Sequence, residues 1–286
     1  METHPAQSSV AERLARYPLL DALRGRRSRR FGVGMTIPSG PFAYTSQQPP
    51  MPLSLDEEAA LAFAACGVTG YALADLAYGR GDGGNMLAGL LGRTVGSADA
   101  INMVAVVVTN DEATYLLKRP QDFAPDEYAA LVALSEQGDL TEMYRRSRIQ
   151  ILDGRAAPPV EPSYNFNINK WALYAAGGSY FVPIIENTEV YINALLEAFS
   201  PEMAYFILDE RNNFQPAGIG KFGKTKGGHL DNAPKAGRTA TVQMIETSLL
   251  EAGAIEEGMI LQNLALMSQA LGIGGYPNFA RHDWGW

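Results

Sequence analysis

The sequence predicts an α+β fold, and three of its features carry that prediction. Met103 to Thr109 is a near-continuous β-branched run, the composition of a strand buried on both faces. Ala204 to Leu208 is a second short apolar run of the same kind. Around both lie helical patterns, the longest from about Thr247 to Leu271, without the regular strand–helix alternation that builds a parallel sheet. One sheet flanked by helices is therefore expected, in a single domain spanning residues 1–286.

Taken in order, Val10 to Arg24 reads as a helix interrupted or ended near Pro18. Gly32 to Pro52 holds Pro38, Pro41, Pro49, Pro50 and Pro52 and reads as an extended ordered loop. Ser54-Leu55-Asp56-Glu57 is a capping box, in which Ser54 accepts from the Glu57 amide while Glu57 reaches back. The helix it opens is expected to run through Leu61, Phe63, Leu73 and Leu76 to about Tyr78, where Gly79 to Gly84 stops it. Further helices are expected at roughly Pro125 to Glu136 and Leu140 to Gln150, with Ile151 to Pro183 irregular. Thr188 to Phe199 is a helix stopped by Ser200-Pro201. The stretch from about Asp111 to Gly178 then reads as an insertion between core elements.

A formal charge of −8 argues against broad nucleic-acid binding, because a phosphate-tracking surface needs excess Lys and Arg. One local exception is the cluster Arg24, Arg26, Arg27, Arg29 and Arg30. The single cysteine, Cys66, excludes an intrachain disulfide and reads as an inert core thiol. His4, His229 and His282 are scattered, so no metal site is expected. Neither a signal peptide nor a long charge-free apolar run is visible, and a cytoplasmic protein without a membrane contact is expected.

Gly218-Ile219-Gly220-Lys221-Phe222-Gly223-Lys224-Thr225 satisfies the string of a phosphate-binding P-loop, and Tyr205 to Glu210 looks like an apolar strand ending in acids. The context opposes a P-loop NTPase. Arg211 to Pro216 separates that strand from the first glycine, and Gly227, Gly228, Pro234 and Gly237 forbid the helix that should follow.

Three separated blocks point elsewhere. They are Arg26-Arg27-Ser28-Arg29-Arg30-Phe31, then Gly96-Ser97 with Asn102 before the β-branched run, and finally the long apolar helix breaking into Gly272-Ile273-Gly274-Gly275. Together and in this order they resemble the FMN-dependent nitroreductase-like flavoproteins, a family that includes azoline dehydrogenases. The resemblance implies a central mixed or antiparallel sheet flanked by helices, with the long helix buried in a homodimer core. It implies FMN as cofactor, NAD(P)H as donor, and hydride transfer through flavin N5 to an electron-poor acceptor such as a nitroaromatic, quinone or enone. It also makes the insertion at 111–178 a lid that selects the acceptor.

By the same resemblance Arg26, Arg27, Ser28 and Arg30 contact the phosphate, the ribityl chain and the pyrimidine edge. Arg30 directly precedes Phe31, where the family has a spacer, so the register between Arg29 and Arg30 stays open. Ser97 and Asn102 correspond to residues that meet the flavin ring, often from the opposite subunit. Gly272, Gly274 and Gly275 would let backbone approach a planar ligand. The chemistry suits the ligand, since a phosphate wants guanidinium donors and the reduced ring wants fixed positive charge. Structural roles suit the same residues: a basic helix end for the arginines, a cap for Ser97, a helix C-cap for the glycines. A flavin-less relative of this fold, serving as a binding or structural protein, is the alternative from a different class. No side chain stands out as catalytic.

Overall fold

The structure, a computed structural model, describes residues 9–72, 91–98, 101–156, 175–200, 202–203, 205–217 and 238–277. Its mixture of helices and small sheets is α+β. The chain divides into two compact units. One comprises Met1–Gly96, Ala105–Ile184 and Gly258–Trp286, the other Ser97–Val104 and Ile185–Glu257.

The first unit opens with α1 (Val10–Ala15), whose N-terminus carries a capping box between Ser9 and Glu12. Pro18 separates it from α2 (Leu19–Gly25), as its missing N–H and fixed φ require. A small antiparallel hairpin follows, β1 (Thr36–Ile37) and β2 (Tyr44–Thr45), inside the segment expected to be wholly extended loop. Gly34 enables the approach to it. Its φ is +84°, and a Cβ there would stand 2.4 Å from the Pro50 backbone.

Helix α3 (Leu55–Cys66) begins at the capping box read from sequence, with Glu57 N donating to Ser54 Oγ at 3.3 Å. It stops at Cys66, well short of Tyr78. Gly67 breaks the pattern, and β3 (Val68–Tyr71) pairs antiparallel with β4 (Leu91–Arg93), so sheet pairing overrides the helical spacing. Ala59, Ala60 and Ala65 of α3 are fully buried. Such small side chains let Leu61 and Ala60 close onto Leu271, with Val10, Leu14, Leu264 and Met267 around them.

The β-branched run forms β5 (Val104–Thr109) as expected. It sits inside a four-stranded sheet of order β7-β6-β5-β8, with β6 at Ala113–Leu117, β7 at Arg148–Asp153 and β8 at Tyr180–Ile185. Between β6 and β7 run α4 (Tyr128–Gln137) and α5 (Leu140–Ser147). Helix α5 ends at Ser147 rather than Gln150, because Arg148, Ile149 and Gln150 take partners Leu117, Leu116 and Tyr115 of β6. The Arg148 guanidinium covers the Tyr115 ring at 4.6 Å. Strands β6 and β7 thus place part of the 111–178 stretch in the same sheet as β5. Leu131, Val132 and Met143 of α4 and α5 pack against Val68, Leu91 and Phe123.

In the second unit α6 (Thr188–Ala198) matches its expected span closely. The strand expected at Ala204–Leu208 is β9 (Phe206–Asp209), antiparallel to β10 (Gln215–Pro216) and parallel to β11 (Thr239–Thr241). The strands of the described residues therefore fall into four small sheets instead of one. From β11 the chain passes directly into α7 (Val242–Leu271), which starts earlier than Thr247. Met103, Val190 and Leu249, with Ile185 and Ile245, form this unit's core. Among the described residues no helix is long and apolar enough to cross a membrane.

Candidate functional site

Two of the three sequence blocks lie side by side in the first unit. The Arg29 amide donates to the Gly275 carbonyl at 3.0 Å, and the Arg30 guanidinium lies over the Tyr276 ring, 4.6 Å from its centroid. Arg29 Nη1 donates to Gln269 Oε1 at 2.5 Å, and Gln269 Nε2 donates to the Tyr17 hydroxyl at 3.3 Å. One side chain of α7 thus holds the N-terminal arm at two points. Gly274 makes the seam close, since a Cβ there would meet the Arg29 carbonyl at 3.3 Å.

The remaining residues of the cluster differ in their freedom. Arg27 Nη1 donates to the carbonyls of Arg24 and Arg26, at 3.0 and 2.7 Å, and so closes the C-terminal end of α2. The side chains of Arg26 and Ser28 are exposed. Gly272 has φ +75° and ends α7 as a left-handed cap, with Ile273 N returning to Ser268 O at 3.1 Å. Open space lies off Gly272, whereas Gly274 and Gly275 already face Arg29 and Ser268.

Beside this seam runs an open groove of about 420 Å³ lined by Phe31, Gly32, Val33 and Tyr44 to Gln48. Phe31 belongs to both, for its carbonyl lies 4.0 Å from where a Gly274 Cβ would stand. The donor set fits an anionic phosphate ester: exposed guanidinium groups, a serine hydroxyl and no acid bonded to them among the described residues.

Ser97 and Asn102 belong to the second unit. Asn102 is buried, and its Nδ2 donates to Glu256 Oε1 at 3.0 Å. The amides of Met103 and Val104 also end on Glu256, each at 3.1 Å. A fully buried carboxylate on α7 therefore fixes the entry to β5. Sequence reading misses it, because an acid in an apolar helix reads as a surface residue. Arg29, Gln269, Tyr17 and Tyr276 are likewise not singled out from sequence as site residues, although Arg29 stands as the open register.

A second buried carboxylate, Glu58, accepts from Asn110 Nδ2 at 2.9 Å, Ser179 Oγ at 3.1 Å and the Tyr144 hydroxyl at 2.9 Å. Burial, and then the Glu58 charge, pushes the Tyr144 hydroxyl far above the ordinary tyrosine range. Burial would also raise Asp111, but the Arg155 guanidinium and the Gly177 amide outweigh it and hold the carboxyl below its usual value. Arg155 also donates to Gly178 O at 2.6 Å. Cys66 Sγ contacts Ala62 O at 3.7 Å, and burial pushes its thiol up to about 12, so little thiolate forms near neutrality.

The string at 218–225 lies outside the described residues, as do residues 157–174 of the insertion. Comparison of the sequence with protein-family models and with curated proteins found no match.

Proposed function

We propose that this protein is an FMN-dependent oxidoreductase, working as a homodimer, that passes a hydride between NAD(P)H and an electron-poor organic acceptor such as a nitroaromatic, quinone or enone. The observation that supports it best is the seam just described. Residues 26–31 and 272–275, far apart in sequence and both drawn from the flavoprotein resemblance, share a backbone hydrogen bond, and Arg30 adds a ring contact with the adjacent Tyr276.

Arg26 and Arg30 would hold the phosphate, with the Ser28 hydroxyl adding a donor and Arg27 contributing once released from its own carbonyls. Gly272, Gly274 and Gly275 would bring backbone toward the ring. Ser97 would reach it from the second subunit, and Asn102 would do so once released from Glu256. Bound FMN supplies the hydride chemistry at its N5 position. Around it the chain's own residues bind and orient: Gln269 fixes Arg29, and Arg29 in turn fixes the backbone of the glycine turn. Phe31 and Tyr44 give the adjoining groove flat apolar walls, and Gln47 and Gln48 give it amides for an acceptor's oxygens. No nucleophilic side chain is required.

The test is a flavin spectrum of purified protein followed by titration of the stripped protein with FMN. Arg26→Ala and Arg30→Ala should each weaken binding by about 1.5–3 kcal/mol, the worth of a hydrogen bond to a charged group. Colourless protein that takes up no added FMN would end this reading. A second reading, a flavin-less binding or structural protein, draws on the engagement of Arg27 with its own backbone and of Asn102 with Glu256. The same titration decides between the two.

A further inference from the structure

The five arginines between residues 24 and 30 differ in what their side chains have left to offer. Arg27 commits Nη1 to the carbonyls of Arg24 and Arg26. Arg29 commits its two terminal nitrogens to Gln269 Oε1 and the Gly25 carbonyl, at 2.5 and 3.4 Å. Arg24 and Arg26 are exposed, and among the described residues no hydrogen bond or ion pair orients their side chains. Arg30 is the one of the five that is both placed and free. Its guanidinium lies over the Tyr276 ring, 4.6 Å from the centroid, and among the described residues it meets neither an acid nor a carbonyl.

Tyr276 is itself held from both sides. The Gly275 carbonyl before it accepts from Arg29 N at 3.0 Å, and Pro277 after it disfavours the helical region for its backbone. A guanidinium stacked on a ring gives up its face and keeps its N–H edge, the edge that grips a phosphate with two parallel hydrogen bonds. Tethering the arm does not require this contact, because Arg29 and Tyr17 already tie it to Gln269 of α7. What the ring adds is direction for a cation that nothing else among the described residues directs.

We propose that Tyr276 is a positioning residue, which aims the Arg30 guanidinium at a phosphate monoester and so makes the site prefer the phosphorylated form of its ligand. This rests on the flavin reading above and deepens it. FMN is taken through its phosphate, and riboflavin, which lacks one, loses that hold. Tyr276 acts through Arg30 and need not touch the ligand.

Calorimetric titration of the flavin-stripped full chain with FMN, riboflavin and inorganic phosphate tests it. Wild type should bind FMN at least about ten-fold more tightly than riboflavin, as hydrogen bonds to a charged group warrant. Tyr276→Leu should weaken FMN by about two- to five-fold, the worth of an exposed cation–π pair, and leave riboflavin unchanged. Tyr276→Phe keeps the ring and should restore FMN binding. Should the leucine variant unfold, Tyr276→Met takes its place with the same expectation. Equal losses for the two flavins, no loss for FMN, or a phenylalanine variant as weak as the leucine one overturns the positioning role and leaves the flavin reading standing. Wild type that binds both flavins equally overturns it without any variant. Wild type that takes up neither flavin ends the flavin reading, and inorganic phosphate then decides the stack by itself. Phosphate binding that Tyr276→Leu weakens keeps the seat, and no phosphate binding removes it too.

Discussion

Glu256 offers the sharpest test of how the second unit is held together. Its two carboxylate oxygens receive three N–H donors, with Asn102 Nδ2 and Val104 N on Oε1 and Met103 N on Oε2. All of them are shielded from water, and among the described residues no cation shares the site. Glu256→Ala strands three donors at once, at about 1–3 kcal/mol for each one left unsatisfied. Water entering the vacated space recovers part of this, so a loss of about 3–5 kcal/mol is expected. That is a large fraction of the roughly 5–15 kcal/mol available to a typical domain. Glu256→Gln keeps the oxygen that serves Asn102 and Val104 but turns an NH₂ group toward Met103 N. A donor then faces a donor, and an intermediate cost of about 1.5–3 kcal/mol follows. Urea unfolding followed by circular dichroism would give both numbers. A glutamine variant as stable as wild type, or an alanine variant within about 1 kcal/mol of it, would show that the carboxylate is not what secures the start of β5.

Two further outcomes follow from the first unit. The folded state holds the Tyr144 proton tightly, so its folded pKa lies above the unfolded value of about 10. The stability this gives is complete below that pH and drains away above it, as the unfolded chain alone gives up the proton. The urea midpoint should therefore fall more steeply above about pH 10 in wild type than in Tyr144→Phe, and equal slopes would refute the assignment. Gln269→Leu should cut the arm's two tethers, to Arg29 and to Tyr17, and raise tryptic cleavage at Arg26 to Arg30 while the thermal midpoint moves little. Unchanged cleavage would mean the Gly275 backbone bond alone suffices.

Features that a local stretch decides by itself were legible in sequence. The Ser54–Glu57 capping box, the break at Pro18, the β-branched strand and the glycine that ends α7 all depend on neighbours within a few residues. What escaped was settled by partners far along the chain. The run after Cys66 has helical spacing, yet Val68 and Tyr71 find Arg93 and Leu91 and become strand. Arg148 to Gln150 continue a helical pattern, but the edge of β6 claims them. In the site, the basic cluster and the glycine turn were visible as separate words. Their junction through Arg29 and Gln269 spans 240 residues and leaves no local trace. Glu256 escaped for a related reason: two of its three donors are backbone amides, which any sequence possesses.

The seam between the arm and the glycine turn has a consequence for the order of biosynthesis. Arg29 is translated 240 residues before the Gln269 that receives it, and Leu14 long before the Leu271 it packs near. Throughout that interval the nascent chain carries Leu19, Leu20, Leu23 and a run of arginines exposed, although Val10 and Leu14 can already pack near Ala60 and Leu61 of α3. The seam between Arg29 and the glycine turn is thus among the last contacts to form, and slow closure of so long a loop leaves a sticky, cationic stretch waiting.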